Sequence, residues 1–385
     1  MVVRVEVTPP LLAWARKRSG IPGQDLARRF PRLQEWERGQ GSPTLKQLEN
    51  FANATHTPVG YFFLPEVPAV AMPLPDFRTR RDETVRQPSP DLLDTIFESE
   101  QRQEWYRDYA RTNGEGQLDF VGSFTVREPV ESAASVMRTK LQFEPGERGA
   151  SWSDALRRLA DHAEELGILV MINGVVGSNT HRQLDPDEFL GFALIDDYAP
   201  AVFVNGASTK AAQIFTLAHE LVHIWLGQSA LDDSAPGDDL ASPDGVSERW
   251  CNEVAAEMLV PLAAITREFR RASDRAAELD RLAREYKVST LVVLRRLHDA
   301  GCVDPTTFWD IYEAEFARVR ALAAEAGGSG GNFYNTQPVR TSKRFARAII
   351  TSTLEGQTLY KEAFRLLGFK KVSTLNELAR HLGIA

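Results

Sequence analysis

The sequence predicts an α+β fold that is mostly α-helical: a small sheet packed on a helical core, with helical modules before and after it. Three features predict it. Apolar residues recur at helical spacing over most of the 385 residues. Between positions 168 and 206 the pattern changes to three short runs, ILVMI, FLGFALI and APAVFVNG, rich in Val, Ile and Phe and separated by turns. Directly after them, STKAAQIFTLAHELVHIWLG returns to one apolar helix, with Ser208 or Thr209 as cap and Gly227 as stop.

The length allows two or three domains with real cores, and 25% charged against 43% hydrophobic residues excludes a disordered chain. A net charge of −8 argues against a basic coat for nucleic acid but leaves local patches open. With only Cys251 and Cys302, no disulfide scaffold is expected, and a reducing compartment is the simpler setting. The opening MVVRVEVTPP lacks the apolar core of a secretory signal, and no stretch has the length of a membrane span. A cytoplasmic location without membrane contact follows as the expectation.

Taken in order, residues 8–64 read as short helices. Thr8 and Pro9 begin the first, which closes at Gly20. A second covers Gln24 to Phe30. After PRLQEWERGQGSP, a third stripe of Leu45, Leu48, Phe51 and Ala52 is capped by Thr44. The LARRF run, Leu33, LQEWERG and SPTLKQLENFANATHTP leading to YFFLPE resemble the XRE-type helix-turn-helix family. The segment departs from that pattern where only PR separates Phe30 from LQEWERG, too little for a recognition helix. Residues 1–68 are therefore expected to form a degenerate helix-turn-helix-like bundle that does not read DNA by itself, any DNA contact being weak or indirect. Prolines then mark 69–90 as a connector, with FRTRRDETVRQ between them. Helices are expected from Asp91 to about Tyr109 and from Trp152 to near Gly167, with a polar, charged stretch through 128–140.

The chemistry concentrates at Thr216–Trp225, which contains HExxH. One helical turn separates His219 from His223, so both side chains project from one face and can reach one metal ion. Glu220, beside them, is placed to act as general base on water. Imidazole pairs suit Zn2+, one per chain, and a catalytic site needs a third protein ligand with one position left open. Residues 228–247 are an acidic, Gly/Ser/Pro-rich loop. The helix after it offers Glu248, Glu253 and Glu257, among which spacing does not choose, and Cys251 as a competing thiolate. AVFVN, the strand nearest in sequence, is expected to be an edge that pairs with an extended substrate through Val202, Phe203, Val204 and Asn205. A neutral donor to the developing oxyanion is also expected, with Tyr198 and His181 among the candidates.

The combination of VFVN, TLAHELVH, a loop and ERWCNEVAAEMLVP resembles the ImmA/IrrE family of zinc metallo-endopeptidases, over roughly residues 168–262. The resemblance implies a zincin-like fold and Glu248 as third ligand, with Glu253 and Glu257 as surface or outer carboxylates. It also implies Asn252 as a hydrogen-bonding residue near the metal. On this reading 91–326 is the metallopeptidase domain with the helices that follow it. Among these, Leu279, Leu282, Tyr286, Val292, Val293 and Leu297 form the core. The implied activity is cleavage of a narrow protein substrate, a helix-turn-helix repressor or a neighbouring-gene product, relieving repression of stress or mobile-element genes. The alternative is a non-proteolytic, DNA-associated regulator or antitoxin whose zinc is structural. Beyond the glycines at 327–331, the remainder of 327–385 reads as a helical module, whose residues from 332 carry nine basic and three acidic side chains.

Overall fold

The structure, a computed structural model, describes residues 4–68, 88–228, 230–232, 243–271, 274–325 and 333–384. Expectations for most of the proline-rich connector, most of the acidic loop and the glycine linker lie outside the described residues. The chain divides into two compact units: 1–73 with 82–97, and 74–81 with 98–385. None of the described helices is long and apolar enough to cross a membrane.

The first unit holds α1 (Pro9–Arg18), α2 (Gly23–Arg29), α3 (Leu33–Glu37) and α4 (Leu45–Ala54), followed by a 3-10 turn at Val59–Phe63. Thr44 caps α4 as expected, in a reciprocal box: its hydroxyl accepts from the Gln47 N–H while the Gln47 side chain accepts from the Thr44 N–H. Thr8 stands at the N-cap of α1 but turns its hydroxyl to the Leu64 carbonyl instead, tying the start of α1 to the residue after the 3-10 turn. Phe51 is the centre of the core, with Phe30 edge-on at 5.4 Å and Phe62 at 5.7 Å.

The helix α5 (Pro90–Thr112) contributes its first turns to the first unit and the rest to the second. There follow α6 (Val130–Lys140), α7 (Trp152–Glu165), β1 (Leu169–Asn173), β2 (Gly191–Leu194), β3 (Ala201–Asn205), α8 (Lys210–Leu226) and β4 (Ala230–Asp232). Next come α9 (Pro243–Leu259), α10 (Leu262–Glu268), α11 (Arg275–Tyr286), α12 (Thr290–Asp299) and α13 (Pro305–Glu325). The chain closes with α14 (Phe333–Thr341), α15 (Lys343–Leu354), α16 (Tyr360–Leu367) and α17 (Val372–His381). Most of the polar stretch at 128–140 is thus the helix α6, which packs against α9 and buries Ala133, Ala134 and Met137, too few apolar positions to give a strong signal.

The sheet has four strands in the order β1-β3-β2-β4, with β3 parallel to β1 and β2 antiparallel to both β3 and β4. This overturns the edge assignment of Val202, Phe203, Val204 and Asn205. β3 is hydrogen-bonded on both sides and has no free ladder to offer. Val202 and Val204 face the α8 core, Phe203 stacks on Phe192 at 5.1 Å, and Asn205 donates to the Phe189 carbonyl. The edges are β1, along which α14 packs, and β4. One continuous core joins the sheet to α6–α9 and to α11 and α12, and takes in Leu279, Leu282, Tyr286, Val292, Val293 and Leu297.

Candidate metal centre

Both helices that build the centre are pinned at their ends. The Thr209 hydroxyl caps α8 by accepting from the Ala212 N–H, and Gly227 ends it at φ +72°. A Cβ at Gly227 would come within 2.9 Å of the Gly122 Cα. That close approach lets the Gly122 and Phe124 N–H groups donate to the Ile224 and Trp225 carbonyls, closing the last turn. At the C-terminal end of α9 the Arg148 guanidinium donates to the carbonyls of Leu259 (2.6 Å), Met258 (3.1 Å) and, from α11, Tyr286 (2.8 Å). Burial lowers this guanidinium to about 9. The carbonyls it meets are those a helix C-terminus leaves unpaired, so the cation and the dipole suit each other.

With the helices fixed, His219 and His223 are 0% and 1% exposed, and their Nε2 atoms lie 3.0 Å apart. Glu248 on α9 brings one carboxylate oxygen to 3.2 Å from His219 Nε2 and the other to 3.2 Å from His223 Nε2. Among the described residues, these three form the one cluster of donors suited to a metal ion. Zn2+ bound tetrahedrally at about 2.0–2.1 Å separates its ligand atoms by about 3.3 Å, so the spacing of the three donors fits it. Two imidazole nitrogens and a carboxylate oxygen are also the donor set of catalytic zinc sites with an open position. Burial pushes the Glu248 carboxyl up, but hydrogen bonds and charge from His219 and His223 outweigh it and hold the group below the usual carboxylate range.

The other candidates fall elsewhere. Glu257, buried, pairs with Arg296 and accepts from the Leu262 N–H at 3.1 Å, fastening α9 to α12 and α10; Glu253 is exposed. Cys251 is not placed among the ligands: its Sγ sits 3.8 Å from His223 Nδ1, the ring nitrogen turned away from the cluster. Asn252 is half-buried, and its side chain forms no hydrogen bond among the described residues. It stands about 100° further round α9 than Cys251, which takes the contact expected of Asn252. Tyr198 lies under the Arg111 guanidinium at 4.7 Å and His181 is exposed; neither hydrogen-bonds to the cluster.

Glu220 is fully buried and directed at β2. A Cβ on Gly191 would approach its Oε1 to 3.2 Å, the Thr216 Cγ2 to 2.5 Å and the Phe203 carbonyl oxygen to 2.8 Å. Gly191 therefore lets α8 close on the sheet with the Glu220 carboxylate between them. Sequence reasoning missed it, although a lone glycine inside the apolar run FLGFALI is a signal of close approach.

Residues 341–381 match a family model described as a domain of unknown function. No curated protein and no solved structure matches the chain. Residues 163–298 match the peptidase M78 family model, described as the IrrE N-terminal-like domain, so the stretch that brings together His219, His223 and Glu248 is an IrrE-like domain of metallopeptidase type.

Proposed function

We propose that the protein is a zinc-dependent endopeptidase acting on a narrow protein substrate. One observation carries the reading: three donors of catalytic type converge beside a buried glutamate that follows the first of them. His219, His223 and Glu248 would hold the zinc, which when bound polarises the scissile carbonyl and acidifies the attacking water. Glu220 accepts the water's proton at its carboxylate and returns it to the leaving amine. The close approach of α8 to Gly191 holds that carboxylate, fully buried, against β2. Asp232 of β4 pairs opposite Gly191. The strand edge closest to Glu220 is therefore β4, and it is the edge to which an extended substrate would add.

The alternative of a structural zinc in a non-proteolytic regulator needs a fourth protein donor. Among the described residues the cluster has three, and the nearest sulfur is turned to the far side of His223. Both facts support catalysis. We take the substrate to be a helix-turn-helix repressor or the product of an adjoining gene, in the cytoplasm. The test is incubation of zinc-loaded protein with such a repressor, read by mass spectrometry. Glu220→Gln is expected to keep the metal and lose cleavage by at least about 100-fold. Equal cleavage by this variant would overturn the mechanism.

A further inference from the structure

The most basic part of the chain has a local architecture that the peptidase reading does not use. In α16, residues 368–371 and α17, two helices of eight and ten residues are joined by a four-residue turn. Gly368 opens the turn at φ +74° as the left-handed cap of α16, and Phe369 folds back onto Phe364 at 5.8 Å. A short, glycine-containing turn between two helices is the helix-turn-helix pattern. Behind both helices lies α15, which packs against each of them, and Phe345, Ile349, Ala363, Leu366, Leu375 and Leu378 are buried. With Leu375, Leu378 and Ala379 turned inward, α17 leaves Ser373, Asn376, Glu377 and Arg380 exposed along its other face.

Charge singles out the same place. Residues 332–385 hold nine basic and three acidic side chains, a surplus of six, in a chain whose net charge is −8; the remainder therefore carries −14. Lys343 and Arg344 are taken by Asp161 and Glu115. Arg347, Lys361, Lys370, Lys371 and Arg380 are exposed and form no ion pair among the described residues. Lys370 and Lys371 occupy the turn directly before α17. Cations flanking the start of a solvent-facing helix suit a phosphate backbone, and Asn and Arg on that helix are the side chains best shaped to read adenine and guanine edges. We propose that α16 and α17 form a helix-turn-helix that docks on double-stranded DNA, with α17 presented to the major groove.

The proposal is independent of the peptidase reading and is tested without activity. Full-length protein is titrated by fluorescence anisotropy against a roughly 30-base-pair random duplex at about 0.05 and 0.2 M salt. Wild type is expected to bind with a steep loss of affinity as salt rises. The triple variant Lys370→Glu, Lys371→Glu, Arg380→Glu is expected to bind at least tenfold more weakly and to reduce the salt slope by about 3. Its melting temperature should stay at the wild-type value, since all three side chains are exposed; should it fall, Lys370→Gln with Lys371→Gln replaces it and is expected to lose affinity in the same direction. In selections from randomised duplexes, Asn376→Ala is expected to lose the base preference of wild type while keeping its affinity for random duplex. Charge variants that bind within twofold of wild type would overturn the proposal. So would wild type that binds polyglutamate as tightly as duplex, which marks a surface for acidic proteins instead.

Discussion

The Cys251 sulfur lies 3.8 Å from Nδ1 of His223, on the side of the ring opposite to the nitrogen that faces Glu248 and His219. A metal-binding histidine is oriented by what its second nitrogen meets, and carboxylates or carbonyls are the usual partners. Sulfur is a weaker acceptor, so the restraint on His223 is at the soft end of that range. Cys251→Ala is expected to weaken zinc binding about tenfold in competition with a chelator while the fold persists. An unchanged zinc affinity would show that packing alone holds the ring.

Protein purified without added zinc is expected to carry about one equivalent of it, and Glu248→Ala to lose it with the fold retained. Glu257→Ala makes the contrast. It removes the buried carboxylate from Arg296 and leaves that side chain to Asp299 at 3.4 Å and the Val260 carbonyl, so it is expected to lower stability by about 1.5–3 kcal/mol while the surviving folded protein binds zinc normally. Metal analysis beside a denaturant titration separates the two carboxylates. Retention of metal by the Glu248 variant would remove that residue from the ligand set.

Gly191 is where the sheet and the HExxH helix come closest. A methyl group there meets the Phe203 carbonyl as well as the Thr216 side chain, and the backbone oxygen cannot move without disturbing the β2–β3 ladder. Gly191→Ala is expected to cost about 1–3 kcal/mol and to displace Glu220. Adding Thr216→Ala should recover only part of the stability, because the carbonyl contact remains. A melting temperature equal to wild type for the single variant would refute the close packing.

These positions also divide what the sequence could reveal from what it could not. The caps at Thr44, Thr209 and Gly227 are local chemistry, written within four residues of the helix end they serve. The HExxH face follows from helical geometry alone. Strand order is different: nothing within AVFVN says that FLGFALI pairs on one side of it and ILVMI on the other, so its edge or interior position is invisible to periodicity. β4 escaped notice because three residues are too few to make a pattern. On α9, Glu248 and Glu257 share a helix and a chemistry. Only the phase of that helix against α8 and α12 sends one to the histidines and the other to Arg296.

Glu164 gives stability a pH dependence unrelated to the metal. Burial pushes its carboxyl up to about 7 from an ordinary 4.5, against the opposing effect of the Ser342 hydroxyl and the Lys343 N–H that donate to it. Between those two values the folded chain keeps a proton that the unfolded chain has released. Stability therefore falls as pH rises through this window, by a total on the order of 3 kcal/mol, and levels off above it. Glu164→Gln keeps an oxygen for the two donors and removes the titration. It is expected to be more stable than wild type at pH 8 and to show a flatter profile from pH 4.5 to 8. Thermal melts across that range check it, and parallel profiles for the two proteins would exclude Glu164 as the source.

The first unit carries a helix-turn-helix resemblance that its geometry does not support as a DNA reader. α3, in the place of a recognition helix, has five residues, and Leu33 and Trp36 are spent on the core. Its outer face offers Gln34 and Glu35, with Glu35 paired to Arg32 at 2.8 Å and Glu37 to Arg16 at 2.7 Å. One and a half turns cannot place several side chains against base edges. Arg28→Glu with Arg38→Glu in the full chain is therefore expected to change duplex affinity by less than about threefold, since exposed cations away from a docked face contribute little. Anisotropy titration at about 0.15 M salt against promoter and random duplexes measures it. A loss of more than tenfold, or loss of a promoter preference shown by wild type, would place DNA reading in the first unit after all.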